Sequence, residues 1–243
     1  MTLADTTEQQ NTLKQMNLKA ILFDMDGVLF DSMPHHAKAW VYAMNKCGVD
    51  FSEYEAYMRE GMTGKGTISE IFNLKLGHDA TDEDCKKIYK IKSEYFETLG
   101  EAKPMHGVLN ILQQVKDAGL EIYVVTGSAH KTLINKLQNV FPGYFCADKM
   151  VTAFDVKKGK PDPEPYLMAL QKGHFTKNEV IVIENAPLGV KAGHAAGLFT
   201  IAVNTGILKD EELTSRGADL LYHNMEDLGK DLPDIFTLSK KNQ

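Results

Sequence analysis

The segment AILFDMDGVLF, residues 20–30, decides the fold of this chain. Its first four residues form an apolar run of the length of a buried strand, and the carboxylates of Asp24 and Asp26 follow directly. Residues two apart on an extended chain face the same side, so both carboxylates can address one ligand beyond the end of the strand. Open parallel sheets bind their ligands at that edge. Gly27 permits a tight turn there, and the apolar residues 28–30 can fold back to shield the site.

Two carboxylates at this spacing repel one another unless a cation lies between them or one of them carries a proton. The pattern alone does not establish a functional site, because acidic residues also end strands as turn formers and helix caps. Partners for this pair at the ends of other strands would favour a site.

Three further segments supply such partners. The run VVTGS, residues 124–128, ends in two hydroxyls and a glycine, which suit phosphate oxygens held by hydroxyls and backbone N–H groups. Lys160 lies in GKPDPEP, residues 159–165, a proline-stiffened turn that holds one cation in place. A further apolar run, VIVI, is followed by Glu184 and Asn185. Carboxylates, hydroxyls, a lysine and an acid–amide pair together indicate a site for phosphate and magnesium.

With these segments in this order, the chain resembles the haloacid dehalogenase superfamily of phosphoryl-transfer enzymes over residues 19–238. The motifs DMDGV, VTGS, GKPDPEPY and VIENAPLGVKAG are similar to those of the branch that contains β-phosphoglucomutase and small-metabolite phosphatases. The chain is also very similar to a Bacteroides member of that branch regarded as an inorganic pyrophosphatase. The residues shared with that protein are Glu60, Tyr89, Lys92 and Asn185.

Composition narrows the possible partners. The 243 residues are 43% hydrophobic and 25% charged, which is enough to bury a core in one domain with an insertion or in two domains. The net charge is -6 with no basic block, which argues against a nucleic-acid partner because phosphate backbones require clustered Lys and Arg. We expect a monomer whose partner is a small phosphorylated metabolite or pyrophosphate.

The cysteines and the first residues bear on localisation. Cys47, Cys85 and Cys146 are widely spaced and form no C-x-x-C motif, so neither a disulfide framework nor a zinc site is indicated. A reduced cytoplasm fits this usage best. Residues 1–17 are polar and lack an apolar core, so we predict a disordered tail there, with no signal peptide and no association with a membrane.

Alternating strands and helices predict an α/β fold with a doubly wound parallel sheet, similar to the Rossmann fold. Helical periodicity is clear in two segments. Before the second strand, one face is shared by Val108, Ile111, Leu112 and Val115, and after it one face is shared by Leu133, Ile134 and Leu137. The predicted strands are Ile21–Asp24, Ile122–Thr126, Met150–Ala153, Val180–Ile183 and Thr200–Val203.

The interval between the first two strands is too long for a crossover connection, so something is inserted there. Its pattern is helical: Pro34–Lys46, capping boxes at Ser52–Glu55 and Thr67–Glu70, and a long helix after Thr81. The resemblance implies that this insert, residues 32–100, is a helical cap that closes over the active site. The core domain would then comprise residues 18–31 and 101–243.

The resemblance also implies roles for the core residues. Asp24 would attack phosphorus to form an aspartyl-phosphate, and Asp26 would be the general acid and base, with a pKa above that of Asp24. The residues expected to bind and neutralise the phosphoryl group are Thr126, Gly127, Ser128 and Lys160. Ser128 could equally cap a helix that starts at Ala129.

A magnesium ion would be held by the Asp24 carboxylate, the backbone carbonyl of Asp26 and Asn185, with Glu184 bound directly or through water. The family pattern more often has Asp where this chain has Asn185. The amide removes one negative charge from the metal's ligands, which bears on metal affinity and on the ligand set.

The cap residues admit two interpretations each. His36 near the start of the first cap helix is either exposed or directed to the site, and His35 is expected at the surface. Tyr89 and Lys92 share one helical face that either looks down on the site or packs as core with the lysine snorkelling. Glu60 either ends a helix or contacts substrate, where it could accept sugar hydroxyls or bind the magnesium shell of pyrophosphate.

Hydrolysis of a small phosphate, pyrophosphate included, therefore competes with the mutase reaction that interconverts β-glucose 1-phosphate and glucose 6-phosphate. Carbon–halogen hydrolysis by the same aspartate is disfavoured because it needs no metal-binding acid after the first one. A phosphate sensor without turnover is the remaining alternative.

Overall fold

The computed structural model describes residues 2–3, 6–128 and 133–240, with the backbone alone for residues 133 and 134. A six-stranded sheet of parallel strands runs through it in the order β3-β2-β1-β4-β5-β6. This order confirms the predicted doubly wound α/β fold. The strands are β1 Ala20–Phe23, β2 Glu121–Val125, β3 Met150–Val151, β4 Val180–Glu184, β5 Phe199–Val203 and β6 Leu220–Tyr222.

Strand β1 lies at the centre of the sheet and is buried on both faces. Ile21 and Phe23 belong to an apolar cluster on one face, whereas Ala20 and Leu22 belong to a second cluster on the other face. Alternate residues of a strand point to opposite faces, so helices on both sides of the sheet require a continuous apolar run. The helices that follow the sheet strands and cover it are α6 Val108–Asp117, α7 Leu133–Val140, α8 Glu164–Gly173, α9 Pro187–Ala195, α10 Asp210–Thr214 and α11 Met225–Ser239.

The strands differ from the prediction mainly at their ends. β3 has only two residues, because the backbone N–H and the hydroxyl of Thr152 both donate to the Asp155 carboxylate at 2.8 Å and turn the chain. Strand β6 was not predicted, since its three apolar residues are too few to give a periodic signal. The apolar face predicted for α6 is buried as expected. For α7, Leu137 is buried, and the side chains of Leu133 and Ile134 lie outside the described residues.

The prediction of a disordered tail over residues 1–17 is wrong for residues 7–14. Helix α1, Thr7–Lys14, packs against α11 and buries Leu13 completely. Met16 is buried beside it, and the N–H of Leu18 donates to the carbonyl of Ser239 at 3.0 Å. One apolar pair spaced i, i+3 in a polar segment is a weak signal, and the apolar surface of α11 supplies the partner it needs.

The long interval after β1 is helical, with α2 Met33–Lys46, α3 Glu53–Met58, α4 Gly64–Leu76 and α5 Asp82–Thr98. The predicted capping box at Ser52–Glu55 is confirmed, and Thr81 caps α5 in a box with Asp84. The box predicted at Thr67–Glu70 is wrong, because α4 begins at Gly64 and Thr63 is its cap, which leaves Thr67 buried within the helix. The four helices share an apolar cluster that also includes Leu208. The domain boundaries at residues 32 and 100 stay a prediction.

No helix in the part of the chain that the structure describes is both long and apolar enough to span a membrane.

Candidate active site

The candidate site lies at the carboxyl end of β1, where Asp24 and Asp26 follow the strand. The N–H of Asp24 continues the ladder by donating to the carbonyl of Ile183 at 3.0 Å. Gly27 has φ +83° and its N–H donates to the carbonyl of Phe30 at 2.7 Å, which closes the turn. A Cβ atom at Gly27 would lie 2.0 Å from the Asn185 side-chain nitrogen. Glycine is therefore required both by the backbone conformation and by the approach of Asn185.

Lys160 is the cation at the centre of the site and is 3% exposed. Its Nζ donates to Asp24 Oδ1 at 2.5 Å, to Glu184 Oε1 at 2.6 Å and to the carbonyl of Val125 at 3.0 Å. The turn before α8 brings this lysine across the ends of three strands, β1, β2 and β4. The peptide between Lys160 and Pro161 is cis.

Glu184 is fully buried and accepts four hydrogen bonds from the protein. Its Oε1 accepts from Lys160 and from the Tyr166 hydroxyl at 2.8 Å. Its Oε2 accepts from the N–H groups of Asn185 and Ala186, at 3.0 and 3.1 Å. Because both oxygens are used in this way, Glu184 orients Lys160, and of the two expected modes of metal binding, direct or through water, the geometry disfavours the direct one.

Thr126 and Ser128 follow β2 next to Lys160. Thr126 is 4% exposed, and its hydroxyl accepts a hydrogen bond from the N–H of Ser128 at 3.1 Å. Gly127 between them is exposed, and a Cβ atom there would lie 3.2 Å from the carbonyl oxygen of Gly61. The helix start predicted at Ala129 lies outside the described residues, and α7 is described from residue 133 onwards.

Glu60, which follows α3, reaches the site from the helical insert. Its Oε2 accepts a hydrogen bond from Asn185 Nδ2 at 2.9 Å, across 125 residues of sequence. Glu60 Oε1 and Asn185 Oδ1 are both buried and are without a hydrogen-bond partner among the described residues. Unpartnered buried oxygens are costly, and two of them on one hydrogen-bonded pair of side chains suit a hard divalent cation.

The electrostatics of the site point to the same conclusion. Burial raises the pKa of Asp24 to about 8, with Glu184 and Asp26 adding to the rise and Lys160 opposing it. Burial also raises the pKa of Glu60 well above its usual range, and Asp24 and Glu184 add to that rise. The negative charge of this pocket exceeds what Lys160 neutralises, so the donor set fits a magnesium ion held by Asp24, Glu60 and Asn185. No group of three or more His, Cys, Asp or Glu side chains among the described residues forms a metal cluster by itself.

Asp26 faces different partners. Its Oδ1 accepts a hydrogen bond from Ser32 Oγ at 2.5 Å and lies 3.4 Å from His36 Nε2. Lys92 Nζ lies 3.0 Å from His36 Nδ1, so a lysine, a histidine and an aspartate form a chain from α5 to the strand end. When Lys92 donates to Nδ1, the remaining imidazole proton lies on Nε2 and faces the carboxylate.

The pKa values along this chain follow from burial and charge. Burial raises the pKa of Asp26, but His36 and the Ser32 hydroxyl outweigh this effect and lower it to about 2. Burial lowers the pKa of His36 and lowers that of Lys92 to about 8. The pKa of Asp26 therefore lies below that of Asp24, the reverse of the order expected from the sequence. For Asp24, burial together with the carboxylates of Glu184 and Asp26 outweighs Lys160, whereas for Asp26 the histidine and the Ser32 hydroxyl outweigh burial.

The cap residues divide into two groups. Glu60, His36 and Lys92 lie in the contacts described above, and Lys92 is 7% exposed beneath the rings of Trp40 and Phe96. Tyr89 is 44% exposed. Its ring packs against Gly64, where an added Cβ atom would lie only 2.3 Å from the ring atom Cδ2.

His35 is half-buried, not at the surface as expected. Sequence reasoning also missed the roles of Ser32, which lies two residues after the first segment, and of Tyr166, which ends the motif GKPDPEPY.

Comparison with known proteins agrees with this geometry. The model of the haloacid dehalogenase-like hydrolase family matches residues 21–203. The chain belongs to the haloacid dehalogenase family. This haloacid dehalogenase family member is 30% identical to hexitol phosphatase A of Escherichia coli strain K12 over 213 residues, which cover 88% of this chain and 94% of that protein. It is 24% identical to the β-phosphoglucomutase of Bacillus subtilis strain 168 over 222 residues, covering 88% and 93%.

A solved structure from Bacteroides vulgatus, of a protein provisionally named a β-phosphoglucomutase, is 50% identical with a TM-score of 0.91. The match covers 96% of this chain and 98% of that one. The predicted branch of the family is thereby confirmed, and the protein is an enzyme, a phosphatase or a phosphomutase.

Proposed function

We propose that this enzyme is a magnesium-dependent phosphohydrolase that acts through an aspartyl-phosphate on Asp24, with inorganic pyrophosphate or a comparably small phosphate compound as its substrate. The observation that carries the proposal is the hydrogen bond between Glu60 and Asn185 at 2.9 Å. Through this bond a carboxylate of the cap lies at the expected metal position. A cap that binds a second phosphate group would instead offer a cation there.

The chemistry is assigned to the residues as follows. Asp24 attacks phosphorus while Lys160 neutralises negative charge on the phosphoryl oxygens. The bond from phosphorus to the leaving oxygen breaks, and Asp26 gives its proton to that oxygen. Asp26 then takes a proton from water, whose oxygen attacks the same phosphorus and releases Asp24 as a free carboxylate.

Asp26 must carry a proton for the first step, although its pKa is about 2 in the chain alone. Substrate oxygens bring negative charge next to Asp26, which raises its pKa. The Thr126 hydroxyl, which accepts from the N–H of Ser128, and the N–H of Gly127 would hold the oxygens that do not react. Magnesium, held by Asp24, Asn185 and Glu60, would supply the positive charge that aligns Asp24 with phosphorus.

Close contacts between cap and core favour a small substrate. A Cβ atom on Gly61 would lie 3.2 Å from Lys160 Cδ, and a Cβ atom on Gly127 would lie 3.2 Å from the Gly61 carbonyl oxygen. The loop that follows α3 therefore lies directly on the phosphate-binding residues. Little room is left above them, which favours a leaving group of the size of phosphate over a sugar phosphate.

The second candidate is the mutase reaction. It is favoured by the 50% identity to the Bacteroides vulgatus protein provisionally named a β-phosphoglucomutase. In this reaction the aspartyl-phosphate must wait for a sugar hydroxyl, so the cap has to exclude water from it.

One assay separates the two reactions. Phosphate release from pyrophosphate and from hexose phosphates is measured with magnesium and with EDTA, alongside conversion of β-glucose 1-phosphate to glucose 6-phosphate in the presence of the bisphosphate. We expect magnesium-dependent phosphate release that Asp24→Asn abolishes. Isomerised sugar with negligible phosphate release would contradict the hydrolase.

Glu60→Gln tests the residue that carries the proposal. We expect kcat/KM for pyrophosphate to fall roughly tenfold or more, because the carboxylate that completes the metal site is lost, and hydrolysis of sugar phosphates to fall with it, since both substrates would use that site. Glu97→Gln, a change at an exposed carboxylate of α5, serves as the control. Pyrophosphate cleavage that is indifferent to Glu60→Gln would remove this residue from the mechanism.

A further inference from the structure

The segment between β5 and α10, residues 204–209, contacts both halves of the active site. Its own conformation is fixed by Asn204, whose side-chain nitrogen donates to the carbonyl of Leu208 and to Asp210 Oδ1, both at 2.8 Å. The segment contributes no residue to the phosphate or metal contacts described above. Its contacts run instead to the turn after Asp26 and to the cap helix α3.

The first contact is made by Thr205, which is half-buried. Its hydroxyl donates to the carbonyl of Gly27 at 2.7 Å, across 178 residues of sequence. The N–H of Gly27 is bonded to Phe30, so both polar backbone groups of Gly27 have fixed partners. Gly27 follows Asp26 directly, and the positions of its two peptide groups determine where the Asp26 side chain points.

The second contact is with the cap. The ring of Tyr57 on α3 lies against Gly206, where a Cβ atom would be 2.5 Å from its Cε1. Leu208 is buried in the apolar cluster of the cap helices. The Tyr54 hydroxyl donates to Glu212 Oε1 at 3.1 Å, which adds a polar contact to the same face.

Helix α3, which carries Tyr57, leads directly to the active site. The N–H of Glu60 donates to the carbonyl of Tyr57 at 3.3 Å, so the position of Tyr57 on the segment determines that of Glu60. One short segment thus holds the turn that carries Asp26 and the helix that leads to Glu60.

We propose that Thr205 is a positioning residue for Asp26, because its hydroxyl ties the Asp26 turn to the segment on which the cap is seated. The inference rests on the proposed phosphoryl transfer at Asp24. Loss of the hydroxyl leaves the Gly27 carbonyl without its donor and frees the turn, so proton transfer by Asp26 suffers while the phosphate-binding residues are untouched.

The test compares Thr205→Val with Thr205→Ser, which keeps the hydroxyl. With pyrophosphate we expect Thr205→Val to lower kcat roughly tenfold or more, while KM and inhibition by inorganic phosphate stay within about twofold. Thr205→Ser should restore kcat to within about threefold of the wild type. Thr237→Val is the matched control, since Thr237 also donates its hydroxyl to a backbone carbonyl, that of Pro233 at 2.8 Å, but at an exposed position of α11 within a single helix.

The proposal would be overturned by wild-type kcat in Thr205→Val, or by equal impairment of the serine and valine variants at unchanged thermal stability. A loss confined to KM would also overturn it, because it would indicate substrate binding. If wild-type enzyme does not cleave pyrophosphate, the proposed substrate is wrong, and the same comparison is made with an alkyl phosphate, whose leaving oxygen needs a proton.

Gly206→Ala tests the cap side of the segment. The added methyl group displaces the Tyr57 ring, so we expect kcat/KM for pyrophosphate to fall at least several-fold, with the fold of the core retained. Wild-type kinetics in this variant would show that the cap does not rest on the segment during turnover, and would overturn the shared role of the segment.

Discussion

Lys160 is the residue on which the charge balance of the site depends. It lies between Asp24 and Glu184 at 2.5 and 2.6 Å, and both partners are buried. Two buried carboxylates on one cation leave an excess negative charge, and removal of Lys160 would leave both carboxylates uncompensated. The same lysine is also close enough to Asp24 to contact a phosphoryl group transferred there.

Asp26 differs from Asp24 because of its neighbours. It is held by Ser32 and lies next to His36, which itself is fixed by Lys92. A carboxylate held in this way has a defined direction, which suits a group that moves a proton and forms no bond to phosphorus.

The substitution Asp26→Asn tests this role at the level of the residue. We expect turnover to fall about 10²-fold or more for an alkyl phosphate, because its leaving oxygen needs a proton. The loss should be smaller for p-nitrophenyl phosphate, whose leaving group departs without one. Steady-state rates for the two substrates are compared, and an equal loss for both would count against proton transfer by Asp26.

At the scale of secondary-structure elements, the site depends on the way the strand ends are tied to their neighbours. β1 is joined to β2 and β4 over its full length, and its entry is held by Lys19, whose N–H donates to the carbonyl of Glu179 at 2.7 Å. The side chains of these two residues also form an ion pair at 2.5 Å. The Glu179 carboxylate accepts a further bond from the N–H of Thr176 at 2.8 Å.

The pH dependence of stability in Glu179→Gln tests the ion pair between Lys19 and Glu179. The hydrogen bond and charge of Lys19, together with the N–H of Thr176, lower the pKa of Glu179 to about 2. Because its pKa is lowered in the folded state, Glu179 stabilises the fold at pH values above its unfolded-state pKa of about 4.5. This contribution is lost as the pH falls towards 2.

We expect Glu179→Gln to lower the free energy of unfolding at pH 7 by about 1 kcal/mol, discounted because Lys19 is half exposed. The difference from wild type should shrink between pH 4.5 and about pH 2. Denaturant titrations at several pH values measure it, with Glu94→Gln in an exposed ion pair of α5 as control. A difference that stays constant over this pH range would assign the effect to packing.

At the scale of the whole molecule, the first and the last of the described helices are in contact. Helix α1 packs against α11, and Leu3, Leu13 and Met16 join the same apolar cluster as Ile21 and Phe23 of β1. The segment that contains α1 thus extends the core that supports β1.

Leu13→Ala tests this docking. Leu13 is fully buried, so its truncation should lower the free energy of unfolding by about 2 to 3 kcal/mol. kcat should not change, since the strand end that carries Asp24 is untouched. Thermal unfolding of this variant is compared with that of Asn11→Ala, an exposed position of the same helix. Unchanged stability in Leu13→Ala would show that α1 is not docked in solution.

The sequence by itself determined the fold class and the core of the candidate site. Each of the segments that end in Asp24, Thr126 and Glu184 is an apolar run followed by polar residues, and parallel strands bring such ends to one edge of a sheet. Lys160 could be added because its motif is local. These inferences succeed because the information is contained in a few consecutive residues.

Only the tertiary structure decided which groups from distant segments meet. The pairs Glu60 with Asn185, Lys92 with His36 and Thr205 with Gly27 are separated by 125, 56 and 178 residues, and no periodic pattern encodes them. The roles of Glu184 and α1 changed for the same reason. Which donors surround a buried carboxylate, and which apolar face a short helix finds, are set by packing of the complete chain.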